Sequence, residues 1–357
     1  MKTQSGKLPF KKIVKSKLAK VRFNPLWKVF VRFSIPFFEF VWLQLYHRKD
    51  RNLYLKSKFS GPGNPELNRR SMALVAADPE FVSFARWLRE RIPQKLLEES
   101  KQRLVSNPAE DAFTEVLNAH LDEDAKIEIL RFALSDKVLG TVLPFFQMVP
   151  RLSYAVVMHN VHRQDRPYPQ GSQLWHRDGD AYKLLKLFLC LTDVDDLSGP
   201  FSAIGTDEIS FHAAVPIVGY DPSKSVWQNG RHSEEYMRRF VPDAKVETLK
   251  GPSGSAAWVD TAACYHKGGF CRGKDRLLLE LSFVADQSHP VAEILPSWKL
   301  DRNPEAQALA SDEVRRRLLS GKESAWYIRD GKRALDNPAF LVGRRILTFN
   351  LDSPARG

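Results

Sequence analysis

Cysteine is scarce in this chain: three residues among 357, namely Cys190, Cys264 and Cys271. Their spacings of 74 and 7 build neither a disulfide framework nor a paired Cys-x-x-Cys zinc site. A reducing cytoplasm is the expected compartment. Acidic residues are missing altogether before Glu39, while Lys2, Lys7, Lys11, Lys12, Lys15, Lys17, Lys20 and Arg22 all fall there. The net charge of +12 is therefore unevenly spread, and the chain opens on a basic head. No uninterrupted apolar run there reaches the roughly 18 residues that a spanning helix needs, because the aromatic stretch from Leu26 to Tyr46 carries Lys28, Arg32, Pro36 and Glu39. The chain is not expected to cross a bilayer. Nor does it read as secretory, since the apolar stretch starts late, is broken by charge and meets no small-residue cleavage site. Helix-turn-helix, zinc-finger and RNP-like aromatic patterns are also missing, which argues against a nucleic-acid partner despite the charge. Two readings stay open for residues 1–46: an arm lying on an anionic membrane surface, or a packing segment with a solvated basic tip.

What is present is ordinary globular composition, 43% hydrophobic and 27% charged, enough to bury a sizeable core in one large domain or two modest ones. The turn cluster Gly61-Pro62-Gly63-Asn64-Pro65 marks a boundary, dividing a basic aromatic segment (1–64) from the remainder (65–357). Residues 65–147 read as a helical layer: Phe84, Trp87 and Leu88 share a helix face, and Asp124 is placed to cap a helix bearing Ile127, Leu130 and Leu134. Over 148–290 the texture changes to short apolar or alternating runs, Tyr154 to Met158, Leu184 to Thr192, Ala256 to Val259 and Leu277 to Val284, the pattern of an antiparallel sandwich or barrel. Residues 291–357 turn polar and helical again, with Asp312 capping a helix from Glu313 to Leu319.

Three His-x-acid triplets occur, at His120 and Asp122, His176 and Asp178, and His232 and Glu234. About one is expected by chance in this composition, so spacing alone decides nothing. Residues i and i+2 point to one side of a strand but diverge on a helix. His120 and Asp122 lie in a stretch, Phe113 to Ala133, that reads as helical, and Ser233 looks like the cap of a helix starting beside His232. Only His176-Arg177-Asp178 sits between a Pro- and Gly-rich loop and a clear strand.

A third ligand is supplied by His266, just after the run Ala256 to Val259. Two histidines and a carboxylate leave metal positions open, which suits iron(II) oxygenases, whereas a closed zinc site needs a fourth protein ligand that is not evident. Arg276 opens the run Leu277 to Phe283. It is either a charge at a strand edge or a bidentate clamp for a carboxylate in a site shielded from water. The triplet His176-Arg177-Asp178 also spells a kinase catalytic loop, but that motif needs Asn where Lys183 stands, and no glycine-rich phosphate loop accompanies it.

Taken together, His176-x-Asp178, the strand after it, Gly199-Pro200-Phe201, His266 and Arg276 resemble the phytanoyl-CoA dioxygenase-like family of iron and 2-oxoglutarate oxygenases, over Val149 to Val284, about 40% of the chain. The resemblance implies an α+β fold with a mainly β core, a double-stranded β-helix (jelly-roll) flanked by N- and C-terminal helices. It implies Fe(II) held by His176, Asp178 and His266, 2-oxoglutarate held at its distal carboxylate by Arg276, and O2 as second co-substrate. Lys186 would help bind 2-oxoglutarate if its face of the strand points into the barrel, and Asn160 is a weaker candidate for the same pocket. Halogenating relatives carry a small residue in place of the ligand carboxylate, so the retained Asp178 implies hydroxylation or a related oxidation of a small-molecule or lipid-like substrate. The segment Ala203-Ile204-Gly205-Thr206-Asp207 departs from the Pro-Gly-Ser-His turn of many relatives. Two other readings compete: a cupin-like metal enzyme that does not use 2-oxoglutarate, and a jelly-roll binding module without catalysis.

Overall fold

The computed structural model describes residues 47–107, 113–178, 183–207, 231–240, 246–285 and 304–319. The basic arm expected over residues 1–46 lies outside them. Nine strands are present among the described residues: β1 (Met72–Val75), β2 (Thr114–Val116), β3 (Arg151–Asn160), β4 (Leu184–Cys190), β5 (Ser202–Ile204), β6 (Val246–Thr248), β7 (Ala256–Asp260), β8 (Tyr265–Lys267) and β9 (Arg276–Val284). They form two antiparallel sheets, one in the order β1-β7-β4-β9-β3-β2 and one in the order β6-β5-β8. The smaller sheet continues past β8 through single bridges, His176 to His266 and Trp175 to His232. Followed from β3, the chain enters the large sheet, the small one at Trp175-His176, the large one at β4, the small one at β5 and β6, then large (β7), small (β8) and large (β9). That alternation is a double-stranded β-helix, the jelly-roll topology.

Helices flank it: α1 (Arg48–Lys56), α2 (Pro65–Arg70), α3 (Pro79–Glu90), α4 (Gln94–Ser106), α5 (Glu123–Ala133), α6 (Asp136–Phe146), α7 (Glu234–Phe240), α8 (Pro304–Leu309) and α9 (Glu313–Leu319). On the outer face of the large sheet, Leu185, Leu187 and Leu189 of β4 and Leu277, Leu279, Leu281 and Phe283 of β9 share one apolar cluster with Phe81, Leu88, Ile129, Leu130, Val142 and Phe146 of α3, α5 and α6. On the inner face, Phe188, Cys190, Val259 and Leu278 pack with Phe201 and Ala203. Strands β4 and β9 are thus buried on both faces, which is why they read as nearly continuous apolar runs and not as alternating ones. Against that background the inward polar residues Lys186, Arg276 and Glu280 stand out.

Two local expectations need correction. The stretch Phe113 to Ala133 is not one helix: it holds the edge strand β2, a 3-10 turn at Asn118–His120, and α5. The cap of α5 is Asp122, whose side chain accepts from the Ala125 N–H at 2.6 Å, while Asp124 lies in the first turn. An Asp two residues earlier serves because the cap must sit outside the helix in extended backbone. Asp122 thereby has a structural role, and among the described residues no cluster of metal-donor side chains forms around it and His120. Ser233 and Asp312 do cap, accepting from the backbone N–H of Tyr236 at 3.1 Å and Arg315 at 2.9 Å.

Helix α1, on the N-terminal side of the Gly61–Pro65 turns, is clamped to the body through Asp50. That carboxylate is 1% exposed, meets the Arg317 guanidinium of α9 at 3.2 Å and stands 3.7 Å from Arg151 of β3. Burial alone would raise its pKa, but His47, Arg317 and Arg151 outweigh burial and hold it down to about 2. A carboxyl depressed in the folded state stabilises the fold fully above the unfolded value near 4, and that contribution fades as the pH falls toward 2. Asp50→Ala is expected to lose ~3 kcal/mol at pH 7 by stranding the buried Arg151 guanidinium beside the partly exposed Arg317. In urea melts the deficit should shrink at pH 3; a deficit independent of pH would show that the charge contributes nothing.

Candidate metal centre

His176 and Asp178 are placed by a short extended segment on the edge of the small sheet, and His266 by β8 beside it. The His176 N–H donates to the His266 carbonyl and the His266 N–H to the His176 carbonyl, each at 2.9 Å, so the two imidazoles are cross-strand neighbours on one face. Their ring centroids are 4.3 Å apart. Asp178, two residues on, points to the same side; its N–H donates to the Thr261 carbonyl at 2.9 Å. Asp178 Oδ1 lies 3.7 Å from His176 Nε2 and 3.7 Å from His266 Nε2. One donor atom from each of the three residues falls within 4.8 Å of the others.

The outward ring nitrogens fix which atoms are available. His176 Nδ1 faces the Leu174 carbonyl at 2.7 Å and His266 Nδ1 the Cys264 carbonyl at 3.2 Å. A carbonyl only accepts, so Nδ1 carries the proton in both rings and both Nε2 lone pairs point at Asp178, a common arrangement for metal-ligating histidine. Burial, reinforced by the neighbouring imidazole, brings the His176 pKa down to about 3. Burial also lowers His266, against the pull of Asp178, and Arg231 adds positive charge near both rings. Both imidazoles are neutral at neutral pH and ready to donate. For Asp178 burial acts to raise the pKa, but the Lys186 ammonium and the two histidines overcome it and keep the carboxyl ionised, well below the usual carboxylate range. Two neutral nitrogens and one anionic oxygen on one face fit a divalent metal with positions left open.

Arg276 sits at the start of β9, opposite Asn160 of β3. Its guanidinium is 2% exposed. Nη2 donates to the Gly268 carbonyl at 2.6 Å and to Asn160 Oδ1 at 3.3 Å, Nη1 donates to the Gly199 carbonyl, and Nε has no partner. All three acceptors are neutral, and no acid pairs with this arginine among the described residues. Burial without an acid pulls its pKa below the ordinary guanidinium value. The Gly199-Pro200-Phe201 element supplies one of those carbonyls by passing very close to the loop that follows β8. Gly199 has φ +63°, and a Cβ there would stand 2.5 Å from the Phe270 carbonyl carbon and from the Cys271 nitrogen, so glycine is required twice over.

Lys186 does face into the barrel, but not toward Arg276. It pairs across the sheet with Ser282, six residues along β9 from Arg276, and its ammonium lies 2.9 Å from Asp178 Oδ2 and 2.7 Å from Glu280 Oε1. Glu280 also accepts from the Tyr154 hydroxyl. Glu280 and Tyr154 are missing from the sequence-based site. Their signal was present in part, since Glu280 is the one acid inside the apolar run Leu277 to Val284; Tyr154, 126 positions away, offers no such cue. Asn160 touches the Arg276 guanidinium. His232 takes part in the bridge to Trp175, while Glu234 accepts from the Trp175 indole at 2.7 Å and pairs with Lys267 at 2.7 Å, away from the three candidate ligands.

No protein-family model matches the chain, and no curated protein matches it. Solved structures do. EctD from S. alaskensis is similar over 66% of this chain and 81% of its own, with 12% identity and a TM-score of 0.41. The epimerase SnoN, in complex with Fe3+, alpha ketoglutarate and nogalamycin RO, is similar over 64% and 84%, with 15% identity and a TM-score of 0.39. HygX from Streptomyces hygroscopicus, with nickel and 2-oxoglutarate bound, is similar over 61% and 84%, with 12% identity and a TM-score of 0.35. At such identities the likeness concerns the fold alone and leaves substrate and reaction open.

Proposed function

We propose that the protein is an iron(II)- and 2-oxoglutarate-dependent oxygenase of the phytanoyl-CoA dioxygenase-like kind, oxidising an unactivated C–H bond of a small organic or lipid-like substrate. The observation that carries this reading is the presence, in one barrel, of a two-histidine, one-carboxylate donor set together with a buried guanidinium whose partners are all neutral oxygens. Bound iron would supply oxygen activation coupled to conversion of 2-oxoglutarate to succinate and CO2. His176 and His266 would hold it through Nε2 and Asp178 through Oδ1. Arg276 would take the distal carboxylate of the co-substrate, exchanging weak neutral acceptors for a charge-assisted, bidentate one. Phe188, Cys190, Phe201 and Leu278 form the apolar inner wall, keeping water from the reacting groups and strengthening the ion pair at Arg276.

Anaerobic titration of the apo-protein with iron(II) and then 2-oxoglutarate tests this without a prime substrate. The expected result is a visible charge-transfer band that requires both additions. Iron binding without a band would favour a cupin-like metal enzyme in which Arg276 is incidental. Absence of iron binding would leave a jelly-roll binding module.

A further inference from the structure

The inner face of the large sheet carries a chain of polar groups that the proposed chemistry does not use. Tyr154 donates to Glu280, Glu280 meets Lys186 at 2.7 Å, and Lys186 meets Asp178 Oδ2 at 2.9 Å. The Lys186 ammonium also lies 5.4 Å from the centroid of the Tyr154 ring. Lys186 is 8% exposed and Glu280 6%. Glu280 has no partner besides Lys186 and Tyr154 among the described residues. Two carboxylates, Asp178 and Glu280, are thus held on either side of a single ammonium, in a region where an unpaired charge is costly.

The division of the Asp178 carboxylate is the informative feature. Oδ1 is equidistant from the two Nε2 atoms, while Oδ2 lies 2.9 Å from the Lys186 ammonium in an ion pair that lacks hydrogen-bond geometry. A divalent ion among the histidines would attract any free carboxylate nearby, and a second one would make a fourth protein donor. Four protein donors describe a closed structural site, whereas a site that must admit ligands keeps positions open.

Resting on the metal reading above, we propose that Lys186 is a positioning residue that keeps two carboxylates apart at the metal. It holds Asp178 to one-oxygen ligation and ties Glu280 back, so that the remaining positions stay open for exogenous ligands. Tyr154 secures Glu280 from the other side. This assigns Lys186 to the metal ligand and not to the distal carboxylate of the co-substrate.

Cobalt(II) binding to the full chain tests the inference with no turnover and no 2-oxoglutarate, following affinity by calorimetry and coordination by visible absorption. Lys186→Met removes a like charge near the ion and frees Glu280, so cobalt should bind about tenfold more tightly or better, with an altered spectrum. Glu280→Gln leaves the ammonium in place and removes the compensating charge, so binding should weaken about tenfold with the spectrum kept. The double variant restores the local charge balance and should return close to wild-type affinity and spectrum; Lys186→Arg should keep the wild-type spectrum. Charge alone would give affinities of opposite sign, so the altered spectrum of Lys186→Met, which a purely structural salt bridge would leave as in the wild type, is the readout of the positioning role. Wild-type cobalt binding with Lys186→Met unchanged or weakened in affinity, or with its spectrum unchanged, would overturn the inference and leave the metal site standing. Should Lys186→Met not fold, Glu280→Gln and the double variant decide, and wild-type affinity in Glu280→Gln would overturn it. No cobalt binding by the wild type would remove the metal reading and this inference with it.

Discussion

Asp178→Ala is expected to cost at least 100-fold in iron(II) affinity, more than the roughly 10- to 100-fold lost when only an outer partner of a ligand is removed. The reason is that Asp178 contributes the one negative charge among the three donors. His176 and His266 are already neutral, their pKa values depressed by burial, so the apo site gives up no protons from the rings when metal enters. The carboxylate is ionised in the apo state because Lys186 compensates it, and removing it leaves a cation facing the incoming ion. Asp178→Asn should lose nearly as much, because the amide keeps an oxygen of similar shape but no charge. Folding should survive either change, since Lys186 retains Glu280 as partner. Calorimetric titration with iron(II) under argon is the measurement, with circular dichroism as the control for folding. An Asp178→Asn protein that bound iron as the wild type does would remove this residue from the ligand set.

Much of this was readable because the fold writes some of its elements densely and others hardly at all. Strands β4, β7 and β9 lie in the middle of the large sheet and bury both faces, so their apolar runs stand out from the surrounding sequence. Strands β2, β5, β6 and β8 have three residues each. A segment that short holds no period, and its place comes from pairing with distant partners: Ser202 with Thr248, Thr114 with Asn160. Among the three His-x-acid triplets, local context suggested the extended one at His176 and Asp178, but the ground for setting aside His120 and Asp122, one continuous helix, does not hold, and the cap that occupies Asp122 was expected at Asp124. The Tyr154, Glu280 and Lys186 chain could not be read this way. Its members fall on three strands, and only the register of β3, β9 and β4 sets them side by side.

Arg276→Met should weaken 2-oxoglutarate binding to the metal-loaded protein by roughly 30-fold to several thousand-fold, the range for truncating one partner of a buried charged pair at ~2–5 kcal/mol. The size follows from the setting of the guanidinium. At 2% exposure it has already lost its water, and its three acceptors are the carbonyls of Gly199 and Gly268 and the amide of Asn160, none of which neutralises it. An arriving carboxylate therefore supplies the missing charge without a desolvation cost at the arginine. The apo-protein should respond differently. Methionine forfeits the bonds to three oxygens but also removes a buried charge that lacks a counter-ion, and these effects oppose each other. Thermal melts of cobalt-loaded protein separate the two. Ligand at 100 times its Kd stabilises by about 2.7 kcal/mol, a rise of several degrees for a domain of this size, in wild type but not in Arg276→Met. Arg276→Lys should recover only a fraction of the rise, because a point charge cannot match the fork geometry of the guanidinium. A full ligand-induced rise in Arg276→Met would mean that the carboxylate is held elsewhere and that the carbonyl cage around Arg276 serves only to join β3, β9 and the Gly199 turn.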